Sequence, residues 1–494
     1  MAHLAAMALP RAFKTDESFL EKIAMGAIGT RRTFEDLSRQ GHRPLELERG
    51  SMSFKIWKAI KIKRVRVPDL LCLSCGKRVE SRAKTKLEIT MSHSTSVRER
   101  GWDFGLDDTD QVALVPCERV GSGPLEWQAS TLVQYVPVGP LRRAFRSNQV
   151  VHQRAKGAQA GFEVRVTWPA AIASADGVVE VVDRERIRYR KTGEERATGL
   201  RLQRGRIRLS PLVKAADQVR TAQILASVVP VSSTYRCSGG AGVEAYAALS
   251  TSSSLSDRYT AAKALGRFEE EAATRALLAR VEDTREHVYV RLDAAAGLLR
   301  RGHEAGAEFL RATLEDEYLE NRLETVIVLG EVRGSEATRL LMAVLQDADQ
   351  HAEIRAGAAW SIGEIGSRDA LPMLVESFKA LEPVIKVEAA RALAKLARQN
   401  VDQVLKVLSA STVEERPGVA WALSRAGGFR VEDVLPALVD EDARQWVTFI
   451  IGTQAKDVML PGIEALAERD PQVYFAVTVL WKILASWVYG LEEY

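Results

Sequence analysis

From about residue 250 onward, short runs of small apolar residues return at a nearly constant interval. AAKALG (261–266), AAAGLL (294–299), TVIVLG (325–330), AAWSIG (358–363), AARALA (389–394), VAWALS (419–424) and VTFIIG (447–452) start 33, 31, 33, 31, 30 and 28 residues apart. Between them lie a polar turn and a second amphipathic stretch, such as SRDALPMLVESFKAL (367–381). Two helical stretches per period predict helix pairs stacked in one dimension, drawn close wherever Ala and Gly face each other. The end of the chain, YFAVTVLWKILASWVYGLEEY (474–494), is more aromatic and suits a terminal cap or a docking face.

Upstream the period changes. EVRVTWP, GVVEVVD, RIRYRK, GLRLQRGRIRL and ILASVVPV, within residues 163–231, alternate and are rich in Val, Ile and Arg, which predicts an all-β module. Arg184, Arg186, Arg188 and Arg190, then Arg201, Arg204, Arg206 and Arg208, fall at mostly even spacing, so a strand would present them on one face. Residues 232–254 are rich in Ser, Gly and Ala and read as a linker. At the start, DESFLEKIAMGAIGTRRTFEDLSRQ (16–40) predicts one or two helices with Asp16 as a candidate N-cap, ended by Gly41-His42. PLELERG predicts a short strand. FKIWKAIKIKRVRVPDLLCL (54–73) and CGKRVESRAKTKLEITMS (75–92) predict two more, joined by a turn that holds Cys72-x-x-Cys75-Gly. Downstream, RGWDFGLDDTDQVALVPC (100–117) predicts a core strand preceded by an acidic loop.

Charge divides the 494 residues in two. Residues 1–240 hold 41 Lys/Arg against 25 Asp/Glu, a net +16; residues 241–494 hold 28 against 40, a net −12. A basic half suits a phosphate backbone, and the two halves are expected to meet different partners or each other. Four cysteines in so long a chain argue for a reducing compartment, and no apolar run reaches bilayer length. The expected location is cytoplasmic, with no membrane contact.

Three resemblances sharpen this picture. The 28–33-residue repeats resemble HEAT repeats, in the short form also seen in phycobilin lyases, and imply a C-terminal all-α solenoid over 255–494 with a protein partner. A tetrapyrrole is not expected, because the basic N-terminal half would then lack a purpose. DGVVEVVDRERIRYR (176–190), followed by LSPLVKAADQVRTAQILASVVPV (209–231), resembles a barrel-sandwich hybrid module, expected over 163–231. Ala216-Asp217 and Ala222-Gln223 stand where that family has Gly-Asp and Gly-Gln. No lysine occupies a carrier-type hairpin tip, so no lipoyl or biotin attachment is expected. The order helix, strand, strand with Pro68-Asp69, turn, strand with Glu80-x-Arg82-x-Lys84 resembles the PD-(D/E)xK nuclease superfamily and implies an α/β nuclease-like domain over 11–162.

That last resemblance implies Asp69 and Glu80 as ligands of Mg or Mn, with Arg82 and Lys84 beside the phosphate. It also implies a helix carboxylate, for which Glu21 leads over Glu46 and Glu48. Arg82 stands where the family has lysine, and an arginine stays protonated. The underlying chemistry needs a hard cation between close carboxylates and a positive group near the phosphate. The Cys72-x-x-Cys75 pair has the shape of a zinc knuckle, with His93 and Cys117 as candidate completions; two buried thiols at a turn are the alternative. Together these readings imply a multidomain protein: a metal-dependent nuclease or nuclease-like DNA-binding protein, of bacterial defence or repair type, that contacts nucleic acid through Lys61, Lys63, Arg186, Arg188 and Arg206. The rival is a non-catalytic scaffold that docks nucleic acid or an acidic protein and assembles a complex through its repeats.

Overall fold

Helix α1 (Asp16–Arg39) is a single helix, and its end is built by the two residues that the sequence marks as a stop. Gly41 takes φ 86°, and the His42 N–H bonds back to the Leu37 carbonyl at 3.0 Å, which closes the last turn. The computed structural model describes residues 16–52, 60, 65–94, 96–121, 123, 125–154 and 163–489. Described residues up to Ala273, apart from Ile60, form one compact unit, and Ile60 with those from Thr274 onward forms a second. Lys61 and Lys63 lie outside the described residues.

In the first unit, strands β1 (Pro44–Glu46), β2 (Leu70–Cys72) and β3 (Arg78–Lys84) run antiparallel in that order. β4 (Ile89–His93) leaves this sheet, and β5 (Gln111–Arg119) returns beside β3 in parallel. β6 (Trp127–Ala129) and β7 (Gln134–Pro137) both pair with β5. One face of the sheet packs on α1: Leu70, Val79, Ala113 and Val115 share a core with Leu37 and the partly buried Phe34. A Cβ on Gly29 would sit 2.7 Å from the Ala83 Cβ, so helix and strand touch almost at backbone distance. Alternation then sends Glu80, Arg82 and Lys84 to the opposite face.

That opposite face carries a second core, shared with α2 (Val138–Arg146), β8 (Val151–Arg154) and β9 (Val164–Trp168). β9 pairs with both β4 and β8, and Trp168 is fully buried with its indole N–H on the Leu141 carbonyl at 3.0 Å. Residues on both sides of the expected 162/163 boundary therefore fill one core.

The strand-rich remainder comprises β10 (Ala170–Ile172), β11 (Gly177–Val182), β12 (Arg186–Lys191), β13 (Ala197–Arg201), the hairpin β14 (Gln203–Arg204) and β15 (Ile207–Arg208), β16 (Ser210–Pro211), β17 (Gln218–Val219) and β18 (Ile224–Ser227). β13-β12-β11-β17 form one sheet and β10-β18-β16 another. Ile187 and Tyr189 point into their common core, while Arg186, Arg188 and Arg190 of the same strand are exposed, as the even spacing predicts. Two turns here repeat one construction. Asp217 N–H bonds to the Lys214 carbonyl with Ala216 at φ 69°; Gln223 N–H bonds to the Arg220 carbonyl with Ala222 at φ 65°. Ala216 N–H and Asp217 C=O bracket Val179, and Ala222 N–H and Gln223 C=O bracket Ala173. A left-handed third residue is where such a turn takes glycine, and alanine there costs about 1 kcal/mol. Ala216→Gly and Ala222→Gly are each expected to raise stability by up to about 1 kcal/mol, although glycine also loosens the unfolded chain. Thermal unfolding of the two single variants and the double variant checks this.

The stretch expected as a linker is laid down on the sheet instead. Ser232 and Tyr135 exchange backbone hydrogen bonds, Ala241 N–H bonds to the Ser74 carbonyl at 3.0 Å, and α3 (Val243–Leu249) seats the Tyr246 hydroxyl on the Cys72 and Leu73 carbonyls. The first repeat block lies in α4 (Leu255–Leu265), which also belongs to the first unit.

The second unit is helical. α5 (Glu271–Glu282), α6 (Val288–Arg300), α7 (Glu304–Leu314), α8 (Leu319–Val332), α9 (Ser335–Gln346), α10 (Ala352–Ile365), α11 (Leu371–Glu376), α12 (Pro383–Ala397), α13 (Val401–Ala410) and α14 (Arg416–Ala426) alternate as the two members of successive pairs, and shorter helices follow. Every apolar block from AAAGLL to VAWALS falls in α6, α8, α10, α12 or α14, and Ala295, Val328, Ala359, Leu393 and Ala420 in them are fully buried. The block glycines set the spacing. A Cβ on Gly363 would meet the Ala392 Cα at 2.7 Å, and one on Gly330 would meet Ser361, whose hydroxyl crosses to the Val326 carbonyl at 2.8 Å. Among the described residues no helix is long and apolar enough to cross a membrane.

Candidate functional site

β2 and β3 bring the two carboxylates of the sequence pattern together. Leu70 pairs with Val79, so one position further along the hairpin sets Asp69 opposite Glu80, where side chains on one face stand about 5 Å apart. Asp69 is buried at 7% exposure, and one carboxylate oxygen accepts the Ser81 N–H at 2.7 Å. Burial, followed by the charges of Glu80 and Glu48, drives its carboxyl well above the ordinary range, against the pull of the Ser81 N–H and Arg82. Glu48, a secondary expectation from sequence, is thus the third carboxylate of this group. Glu46 is engaged elsewhere, accepting from the Ser51 hydroxyl and the Met52 N–H.

The positive partners sit on the same face of β3. Arg82 pairs with Glu80 at 3.0 Å, and its Nε is buried without an acceptor. Lys84 donates to the Thr90 carbonyl at 2.7 Å; burial, then Arg82 and Arg165, bring its amine down to about 8. Glu21 is not brought here. It lies on α1 against Arg119 at the end of β5, across the sheet from Asp69 and Glu80, because α1 covers the other face. The four aspartates of the acidic loop are held by arginines: Asp107 and Asp110 by Arg78, Asp103 and Asp108 by Arg142.

The cysteine pair gathers different partners from those expected. His93 stacks edge-on against Phe145, and Cys117 lies in the α1-side core with its thiol on the Val115 carbonyl. Neither completes the group. Cys72 and Cys75 are joined by Cys237 and His42, whose donor atoms all lie within 4.8 Å of one another. The Cys72 thiol is brought down to about 3 by a hydrogen bond from Cys75, assisted by His42 and by the Arg43 and Cys75 N–H groups, while Cys75 is pushed up, so the pair shares one proton. His42 precedes β1 and Cys237 sits in a Ser/Gly stretch 165 residues after Cys72. No local spacing links them, so only the sheet topology could reveal the group.

On the β module, Arg184, Arg186, Arg201 and Arg208 line an open groove of about 600 Å³. Arg188 and Arg206 are exposed, and Arg190 is paired with Glu180.

Comparison with known proteins bears on the helical region. A model of HEAT repeats matches residues 307–386. Deoxyhypusine hydroxylase-B of Oryza sativa subsp. japonica is 27% identical over 127 residues, which is 26% of this chain and 42% of that protein, so the chain spans less than half of that relative. Among solved structures, the complex of CpcE and CpcF of phycocyanin lyase from Nostoc sp. PCC7120 aligns over 49% of this chain and 95% of that one, at 21% identity and a TM-score of 0.25. Human deoxyhypusine hydroxylase in complex with glycerol aligns over 44% and 85%, at 18% identity and a TM-score of 0.19. With the repeat period and the buried Ala/Gly blocks, the family match makes the C-terminal region of this chain an array of HEAT repeats.

Proposed function

We propose that the N-terminal unit is a metal-dependent phosphodiesterase of the PD-(D/E)xK type that acts on DNA, and that the HEAT array recruits its protein partner. The observation that carries this reading is the β2–β3 register, which sets Asp69 across from Glu80 with Glu48 in electrostatic reach. Crowded, partly buried carboxylates repel one another, and a divalent cation is what turns that repulsion into binding. The residues fit Mg or Mn: Asp69 and Glu80 would hold it, and bound there it would neutralise phosphate charge. Arg82 offers its unpartnered Nε–H to a phosphate oxygen. Lys84, with its lowered amine, reaches the same strand face and is the group able to give up a proton near pH 8. The helix–strand–strand–strand order and the exposed arginines of the β module support the same reading, the latter as a track for the nucleic-acid backbone. The repeated Ala216 and Ala222 turns favour a barrel-sandwich architecture for that module.

A second reading, a scaffold that binds without cutting, is favoured by the Glu80–Arg82 ion pair, which already supplies one carboxylate with a cation. Manganese binding separates the two. Titration of the full-length protein with Mn, read by the electron-spin signal of free Mn, is expected to show one site that weakens at least tenfold in Asp69→Asn and in Glu80→Gln. Absence of that site, with nucleic acid still bound in a salt-dependent way, selects the scaffold.

A further inference from the structure

We propose that His42, Cys72, Cys75 and Cys237 form a structural zinc site that clamps the segment after the β module onto the N-terminal sheet. The four donor atoms come from three separate places: the end of α1, the β2–β3 turn and the strand-free stretch 232–242. Their spacing matches a metal. Zinc–thiolate bonds of about 2.3 Å in a tetrahedron put neighbouring sulfurs about 3.8 Å apart. Here Cys72 Sγ and Cys237 Sγ lie 3.8 Å apart, as do Cys75 Sγ and His42 Nδ1. A disulfide needs about 2.05 Å, and all four cysteines are free.

The surroundings orient each donor. His42 Nε2 lies 2.7 Å from the Tyr235 carbonyl, which can only accept. That nitrogen therefore carries the proton, and Nδ1 turns its lone pair toward the thiols. The Tyr235 ring stacks on the imidazole at 4.6 Å and fixes its plane. In the turn, Gly76 takes φ 71° and its N–H bonds to the Cys72 carbonyl at 2.8 Å, which lets two thiols two residues apart converge. The Tyr246 hydroxyl holds the Cys72 and Leu73 carbonyls from α3. Three thiolates and one imidazole, closed by protein on every side of the tetrahedron, select zinc and leave no open position for substrate. The site is separate from the Asp69–Glu80 pair and stands whether or not that pair cuts nucleic acid.

The test uses full-length protein, purified reduced from zinc-supplemented medium. Elemental analysis is expected to give one zinc per chain, and X-ray absorption at the zinc edge three sulfur neighbours and one nitrogen. Replacement by cobalt is expected to give the thiolate charge-transfer and tetrahedral d–d bands of such a site. Cys237→Ser and His42→Asn are expected to lose stoichiometric metal, whereas Cys117→Ser and His93→Ala keep it. Because a ligand variant can fail to fold, the neighbour count on the wild-type protein decides independently. A metal-free protein that takes up neither zinc nor cobalt, a disulfide between any of these cysteines in the reduced preparation, a shell other than three sulfurs and one nitrogen, or full zinc in Cys237→Ser each overturns the assignment.

Discussion

Arg78→Ala is expected to cost about 3–5 kcal/mol of the first unit's stability, because it strands a buried carboxylate. Arg78 is 5% exposed and Asp110 only 2%. The guanidinium meets Asp110 at 3.0 Å, Asp257 at 2.9 Å and Asp107 at 2.5 Å, which ties β3 to the loop before β5 and to the first turn of α4. The pair with Asp110 decides the magnitude, since Asp107 is largely solvated and worth little. Asp110 also accepts the backbone N–H groups of Arg78 and Asp107, and burial already pushes its carboxyl up against the pull of Arg78, so without the guanidinium it must either stay ionised with no cation or take up a proton, and both outcomes cost stability. Arg78→Lys keeps a charge but loses the fork that reaches three acids at once, and should be clearly destabilised too. Hydrogen exchange of the β3 and β5 amides reads this unit alone: protection should fall about 100-fold to 5,000-fold. A change below tenfold would show that the network is not held as described.

Ala359→Arg is expected to unfold the middle of the HEAT array while sparing the first unit. Ala359 is fully buried in α10, which packs between α8 and α12. Arginine there must either bury an unpaired charge or push the helices apart, and either costs several kcal/mol. Stacked repeats touch only their neighbours, so the damage should centre on α8, α10 and α12 and fade outward. Val387→Arg, at an exposed position of α12, should change stability by less than about 0.5 kcal/mol. Equal effects from the two substitutions, read by helical circular dichroism and amide exchange, would contradict the buried-block account.

The repeats were legible in the sequence because each helix pair states its own burial locally, through a small-residue block every 28–33 residues. Arg186, Arg188 and Arg190 were placed for the same reason, since alternation in one strand fixes a face. The Asp69–Glu80 pairing was legible because a short hairpin joins them. What required the fold is what the topology alone decides. Glu21 looked like a helix carboxylate for the site, but the small face of α1 at Gly29 turns its helix to the other side of the sheet. His93 and Cys117 were nearer the cysteine pair in sequence than Cys237, yet the strands carrying them lead into the two cores. Cys237 reaches the pair because Ser232 and Tyr235 pin a Gly-rich stretch along the sheet. Ala216 and Ala222 departed from the glycines of the resembled module, and the chain accepts positive φ at both.

The most direct measurement of the central claim is cleavage of end-labelled single-stranded and duplex DNA by the full-length protein, with Mg or Mn, beside folded Asp69→Asn and Glu80→Gln variants. The account predicts cutting by the wild-type protein that chelation stops and that each variant loses by at least 100-fold, since each removes a carboxylate that the cation needs. Cutting that survives Asp69→Asn unchanged, or no metal-dependent cutting by the wild-type protein, would contradict it.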